Sequence, residues 1–160
     1  MSMRVSEEVA EIIDKAVLLA KNANFAFVTP ELVLYVICQN KVFAKAFENC
    51  GGRLKKLDRE LMTYLEEYME ADAGDPRQMP ELSQGAAIML SFAWESAQSS
   101  GRDSVELTHV IHAMYGLKES YAVYFMRVQG VEHADLMQEM ILILEEELPA
   151  DGIDESNSKE

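Results

Sequence analysis

Glu106, His109 and His112 are the residues whose types and spacing come closest to a catalytic metal site. They are separated by three positions each, so on a helix their side chains would progress around the axis by about 60° per step. A Glu-x-x-His element can supply ligands to a carboxylate-bridged metal pair, but it needs matching ligands from other helices. The only other histidine is His133. These residues leave open a metal-dependent helical enzyme, although structural histidines are the favoured interpretation.

The nucleophile candidates are weaker. The two cysteines, Cys38 and Cys50, are too few for a disulfide scaffold and are typical of a reducing compartment. Cys50 stands directly before Gly51-Gly52 and is interpreted as a small buried side chain rather than a nucleophile. No Gly-x-Ser-x-Gly elbow occurs in the sequence. We therefore assign no catalytic residue and no metal ligand, and do not expect this chain itself to be an enzyme.

The charge balance restricts the partners. The 160 residues carry a formal net charge of −14, with 28 acidic residues against 14 lysines and arginines. Such a chain is repelled by nucleic acids and by anionic membrane surfaces, so neither is expected as a partner. No apolar run approaches the roughly 20 residues that span a bilayer. The composition is that of a soluble protein, and we expect a cytoplasmic location.

The elements that must position these residues are predicted to be helices. Ser6 is a candidate N-cap for a first helix, and Thr29-Pro30-Glu31 is a clearer helix start, with proline at the first helical position. Further helices are predicted over Lys41–Asn49, ending at Gly51-Gly52, and from Leu54 to Tyr68. The apolar residues of the first helix follow the helical period at Val9, Ile12, Ile13, Ala16, Val17 and Ala20. No segment alternates with a period of two, so the predicted class is all-α.

The second half of the sequence repeats the first. When the sequence is shifted along itself so that Ile12-Ile13 lies on Met89-Leu90, Ala16 falls on Ala93 and Val28 on Val105. This repeat register holds for about 32 residues and then slips by a residue or two near Gly51 and Gly130. We therefore predict eight helices, arranged as a tandem pseudo-twofold repeat of two four-helix units.

The predicted boundaries follow from composition. Residues 1–147 form a single double-repeat domain, with repeat one at about 5–69 and repeat two at about 81–147. The connection at 70–80 contains one glycine and two prolines, which end any helix. Residues 148–160 are predicted to be an acidic, flexible tail, because the last sixteen residues hold seven acids and one lysine.

Local motifs resemble those of a known family, the N-terminal domain of the Clp ATPases, which are AAA+ protein unfoldases. Phe27 to Leu32 resembles the F-M-T-x-E-H-L-L entry to the second helix in the ClpA branch. Ala46 to Leu54 resembles the cysteine-containing stretch before the fourth helix, and Ser99 to Arg102 matches the S-S-G-R before the sixth. Glu119-Ser120 with Tyr124 to Arg127 matches the seventh helix. The resemblance covers about residues 5–145 and is closest to ClpA.

The resemblance implies a docking module rather than a catalyst. In that family the domain sits above an ATPase ring and receives substrates or an adaptor, which for ClpA-like proteins is ClpS, for degradation by ClpP. ATP and magnesium would belong to the parent ring, because this chain has no G-x-x-x-x-G-K-[ST] phosphate loop. The chain would then be a fragment cut at the acidic linker, or a stand-alone chaperone-like relative.

The resemblance also suggests which residues contact a partner. We predict Phe25, Ala26, Phe27, Glu31 and Thr108, which lie before or in the first turn of the second helix of each repeat. One phenylalanine is expected to fill the core and the other to be exposed. Glu31 matches the family glutamate that recognises phosphoarginine in ClpC-like relatives, whereas Thr108 replaces its counterpart, which argues against phosphoarginine binding. Glu31→Arg is expected to weaken adaptor association without changing melting, unless Glu31 only favours the helix dipole.

Overall fold

The start of each helix is set by local side chains. The computed structural model describes residues 3–68 and 79–147. Three helices begin directly after Ser6, Thr29 or Ser83, and in each case the side-chain oxygen accepts the backbone N–H three residues further on, at 3.1 to 3.2 Å. This bond satisfies one of the four free N–H groups at a helix start. The predicted caps Ser6 and Thr29 are therefore confirmed.

Eight helices account for most of the described residues, which confirms the all-α class. The helices of the first half are α1 Glu7–Asn22, α2 Pro30–Ile37, α3 Lys41–Asn49 and α4 Leu54–Tyr68, with the short strand β1 Phe27–Val28 before α2. The second half contains β2 Glu81–Leu82, α5 Gln84–Ser99, α6 Leu107–Tyr115, α7 Tyr121–Val128 and α8 His133–Glu147. The two strands have two residues each, too few for a period of two to be recognised in the sequence.

The helix bounds follow the repeat register for α5 and α6 but not for α7 and α8. Helices α5 and α6 begin at the positions that the register assigns to the starts of α1 and α2. The register would start α7 at Lys118 and α8 at Val131, whereas they start at Tyr121 and His133. The change of register thus comes before α7, earlier than the position near Gly130 that the sequence predicted. Its cause is a longer α6 and a longer connection to α7.

Two short backbone pairings join the halves reciprocally. Val28 of β1 pairs in parallel with Leu82 of β2, and Val5 forms a parallel bridge with Val105. The backbone N–H of Ser83 donates to the carbonyl oxygen of Val28, and that of Ser6 donates to the carbonyl oxygen of Val105, both at 2.9 Å. The repeat register relates the two pairs, because Val5 corresponds to Leu82 and Val28 to Val105. Packing of the repeats about a two-fold axis would produce this reciprocity.

The core contains residues of both halves in one buried cluster. Phe43 and Phe47 of α3 are fully buried with ring centroids 5.6 Å apart, and α3 packs against α8 of the other half. Gly52 is buried beside Phe47, to whose carbonyl oxygen it donates its N–H at 3.0 Å. Burial of large apolar side chains between the halves stabilises their association.

Parts of the predicted organisation fall outside the described residues. These are the connection at 70–80, apart from its last two residues, and the acidic tail at 148–160. Their boundaries stay predictions. Within 3–68 and 79–147, no helix is long and apolar enough to cross a membrane.

Candidate functional site

The loop before α2 presents one phenylalanine and buries part of another. Phe25 is half-buried and packs against the core cluster, whereas the side chain of Phe27 in β1 is 46% exposed. Half-buried Ala26 accepts the backbone N–H of Glu81 with its carbonyl oxygen at 3.0 Å. The expectation that one phenylalanine fills the core and the other is exposed agrees with this arrangement. Phe27 pairs with Glu81 through the backbone of β1 and β2, so its exposed side chain lies on this short strand edge.

Glu31 lies under the surface and caps another helix. Its side chain is only 6% exposed, and Oε2 accepts hydrogen bonds from Ser120 Oγ and from the backbone N–H of Tyr121, both at 2.9 Å. Ser120 is itself the N-cap of α7, so the carboxylate stands at the positive end of that helix. Because the side chain is buried and bonded, we now expect Glu31→Arg to lower the melting temperature, whereas the sequence alone predicted no change. Direct contact between the carboxylate and a partner stays a prediction.

Two of the candidate metal ligands, Glu106 and His109, form hydrogen bonds at the start of α6. Glu106 precedes α6 and donates its backbone N–H to His109 Nδ1 at 2.9 Å, while Ser104 Oγ donates to Glu106 Oε2 at 3.2 Å. Burial lowers the pKa of His109 below its usual value. Thr108 is half-buried between them in the first turn. These hydrogen bonds support the interpretation of Glu106 and His109 as structural residues.

His112 pairs with His133 of α8. His112 Nδ1 and His133 Nε2 are 2.9 Å apart, so one ring donates a hydrogen bond to the other. Together they border a groove of about 560 Å³ that also contacts Phe92, Glu95 and Arg127. Among residues 3–68 and 79–147, no group of three or more histidine, cysteine or acidic side chains could hold a metal ion.

The histidine pair should make stability depend on pH. Burial, then His112, then Arg127, lowers the pKa of His133 in the folded protein. The unfolded chain therefore takes up a proton more readily, and stability is lost as the pH falls below about 6.5. We expect the melting temperature to drop between about pH 7.5 and pH 5.5, and to drop less in His133→Gln. Calorimetry on both proteins measures this, and an equal drop in the variant would assign the effect to other groups.

Both thiols are poor nucleophiles. Burial, assisted by the charge of Asp58, raises the pKa of Cys38 to about 12. Burial and the nearby carboxylates of Glu139 and Asp135 raise the pKa of the half-buried Cys50 thiol. A thiol that stays protonated at neutral pH reacts slowly, so neither residue is set up for covalent catalysis.

Five aromatic side chains form a cluster between α4 and α7 that sequence reasoning did not single out. The ring centroid of Tyr64 lies 5.5 Å from that of Tyr68, 5.0 Å from Tyr121 and 6.2 Å from Phe125. Tyr124 completes the cluster at 5.6 Å from Phe125. The available signal was the helical spacing of Tyr64 and Tyr68 on one helix and of Tyr121, Tyr124 and Phe125 on the other. That spacing places each group on one face but does not say that the faces meet.

Comparison with known proteins identifies the family. The model of the Clp repeat (R) N-terminal domain matches residues 4–129, which is most of the chain. The chain belongs to the Clp N-terminal domain family. This confirms the resemblance at family level, within the Clp and Hsp100 group of AAA+ ATPases. Assignment of this Clp domain to the ClpA branch stays a prediction.

Solved structures share the fold of this Clp domain. The Hsp104 N-terminal domain from Candida albicans has a TM-score of 0.76 at 15% identity, with 88% of this chain and 91% of that one covered. The ClpV N-domain from Vibrio cholerae has a TM-score of 0.72 at 15% identity, covering 89% and 86%. A ClpV N-domain in complex with a VipB peptide has a TM-score of 0.69 at 14% identity, covering 89% and 88%.

Proposed function

We propose that this Clp domain docks adaptor proteins and protein substrates for an unfoldase ring. Membership of the Clp N-terminal domain family carries the proposal. A structurally similar ClpV N-domain was solved with a bound VipB peptide, which supports polypeptides as the ligand class. Recognition without chemistry is consistent with the protonated thiols and with the histidines that form hydrogen bonds inside the fold.

The finer proposal follows the ClpA-like motifs. A ClpS-like adaptor would bind at the loop before α2, and the ring would then pass the delivered protein to ClpP. ATP and magnesium would act in that ring and not in this domain. Phe27 is the contact residue best supported by the geometry, because its ring is exposed and its backbone is positioned by the pairing of β1 with β2. Aromatic side chains of this kind often contribute a large share of binding energy at interfaces.

The test is truncation of Phe27. Phe27→Ala should weaken binding of a ClpS-like adaptor by about tenfold, because a central aromatic contact is worth more than about 1 kcal/mol. Its stability should change little, since the ring is 46% exposed. Titration calorimetry with the adaptor and thermal melting of the domain provide the two measurements.

Phe92→Ala is the matched control. Phe92 lies on α5, outside the loop before α2, and is 43% exposed. The Phe92→Ala variant therefore removes a ring about as exposed as that of Phe27. It should retain the adaptor affinity of the original domain. Equal loss in both variants, or no loss in Phe27→Ala, would remove Phe27 from the docking surface.

A further inference from the structure

The groove between α4 and α7 has the features of a second binding surface. Its volume is about 420 Å³. We call it the α4–α7 groove and define it by its lining residues, Arg59, Glu60, Thr63, Tyr64, Tyr68, Tyr121 and Phe125. It is formed by the aromatic cluster described above and lies on both halves of the domain.

The aromatic rings of this groove are unusually open to solvent. Tyr68 is 69% exposed, Tyr121 is 51% exposed, and the adjoining Tyr124 is 56% exposed. Tyrosine offers a large apolar ring at little cost in conformational entropy, which is why it is enriched in binding surfaces. Several rings that stack on each other while remaining exposed form a preorganised platform.

The groove also contains a carboxylate oxygen that lacks a hydrogen-bond partner. Glu60 Oε1 is inaccessible to solvent and has no hydrogen-bond partner among the residues that the structure describes. The buried Glu31 carboxylate lies directly behind, because it accepts the backbone N–H of Tyr121. Burial, the Glu31 charge and Tyr121 all raise the pKa of Tyr64, so its hydroxyl stays neutral. A desolvated carboxylate oxygen is stabilised by a charged donor.

These observations favour one kind of ligand. The faces of tyrosine rings attract cations, and the Glu60 carboxylate, which also lines the groove, would attract the same group. Stacked nucleic-acid bases would also suit aromatic rings, but such sites need a basic groove to follow the phosphates. Here the lining has only Arg59 as a cation, and the chain carries a net charge of −14.

We propose that the α4–α7 groove binds an unmodified lysine or arginine side chain of a protein partner. The cation would rest on the tyrosine rings beside the Glu60 carboxylate, and the apolar stem would cover the neighbouring ring surface. The proposal depends on the proposed function only in taking the ligand to be a polypeptide. It requires neither a ClpS-like adaptor nor a particular ring.

The test compares short peptides that differ only in charge. The whole chain is titrated with three acetylated and amidated pentapeptides, identical except for lysine, arginine or norleucine at the centre. Nuclear magnetic resonance follows the backbone amides of α4 and α7. The lysine and arginine peptides should bind about tenfold more tightly than the norleucine peptide and shift these two helices. Equal affinities, or shifts confined to other helices, would overturn the proposal.

Three variants on α4 separate recognition from general electrostatics. Glu60→Gln should remove most of the preference for the charged peptides, whereas the matched Glu67→Gln, at an exposed position of the same helix, should retain it. Tyr68→Ala should weaken all three peptides while leaving the fold intact, because its ring is 69% exposed. Equal effects of Glu60→Gln and Glu67→Gln would contradict a specific site. So would a dimer in sedimentation that Tyr68→Ala dissociates, since the groove would then be occupied by a second copy.

The two proposals fail in distinguishable ways. Unchanged adaptor binding in Phe27→Ala would overturn the role of Phe27 in docking and leave the peptide titration unaffected. A failed peptide titration leaves the adaptor result unaffected.

Discussion

Replacing Glu31 by alanine is expected to lower the free energy of unfolding by about 2–3 kcal/mol. The carboxylate accepts two hydrogen bonds from the start of α7, at Ser120 Oγ and the Tyr121 N–H, each at 2.9 Å. The substitution leaves both donors without this acceptor in a partly buried environment, and removes a negative charge from the positive end of the helix. Glu31→Arg should cost more, because it buries a cation at that same end. Urea denaturation measures both losses.

Two conservative substitutions separate the hydrogen bonds of Glu31 from the general effect of a negative charge near α7. Glu31→Gln keeps one acceptor oxygen and should lose about half as much stability as Glu31→Ala. Glu119→Gln removes an equal charge at an exposed position next to the same helix start and should change stability by less than about 0.5 kcal/mol. If Glu31→Ala were as stable as the original domain, the bonds to α7 would contribute nothing to the fold.

Gly52→Ala is expected to cost about 2–3 kcal/mol by overpacking. A β-carbon at Gly52 would lie 2.7 Å from Cδ2 of Phe47, closer still to Cε2 of the same ring, and 2.8 Å from Cγ2 of Val131. Both neighbours are fully buried, so neither can move without disturbing the core. Since Val131 belongs to the second half, the strain would fall on the junction between repeats. Thermal melting and urea denaturation measure it.

A glycine-to-alanine substitution at Gly85 should instead raise the stability of the domain. Gly85 lies in α5, where an added β-carbon would make ordinary contacts, the nearest at 3.5 Å from Pro30. Gly85→Ala should therefore stabilise the domain by about 0.4–1 kcal/mol, because alanine lowers the conformational entropy of the unfolded chain. Combining Gly52→Ala with Phe47→Leu should recover part of the loss, because a smaller side chain makes room. Strict additivity of those two changes would exclude steric conflict as the cause.

The helices could be predicted from the sequence because their signals are local. The caps Ser6 and Thr29 and the apolar period all act within a few residues. The function of Glu31 could not be predicted, because its partners Ser120 and Tyr121 lie 89 and 90 positions away. Only the packing of α2 against α7 brings them together. A glutamate after Thr-Pro has the same local pattern whether it faces solvent or another helix.

The two candidate binding surfaces also differ in whether the local sequence predicts them. Phe27 could be proposed from the loop motif, and it proved to be exposed. The α4–α7 groove could not, since Tyr64 and Tyr121 lie in different repeats and periodicity specifies only the face of each helix. The pairing of His112 with His133 also arises from tertiary contact between α6 and α8.

The reciprocal backbone pairing has a consequence for assembly. Val28 in the first half pairs with Leu82 in the second, and Val5 in the first pairs with Val105 in the second, so each half completes its strand edge with residues of the other. A second copy of the chain offers the same partners in the same register. Two chains could therefore exchange halves and keep both of these pairings, which is the arrangement of a domain-swapped dimer. In the monomer, the same contacts are instead favoured by the high effective concentration of two halves on one chain.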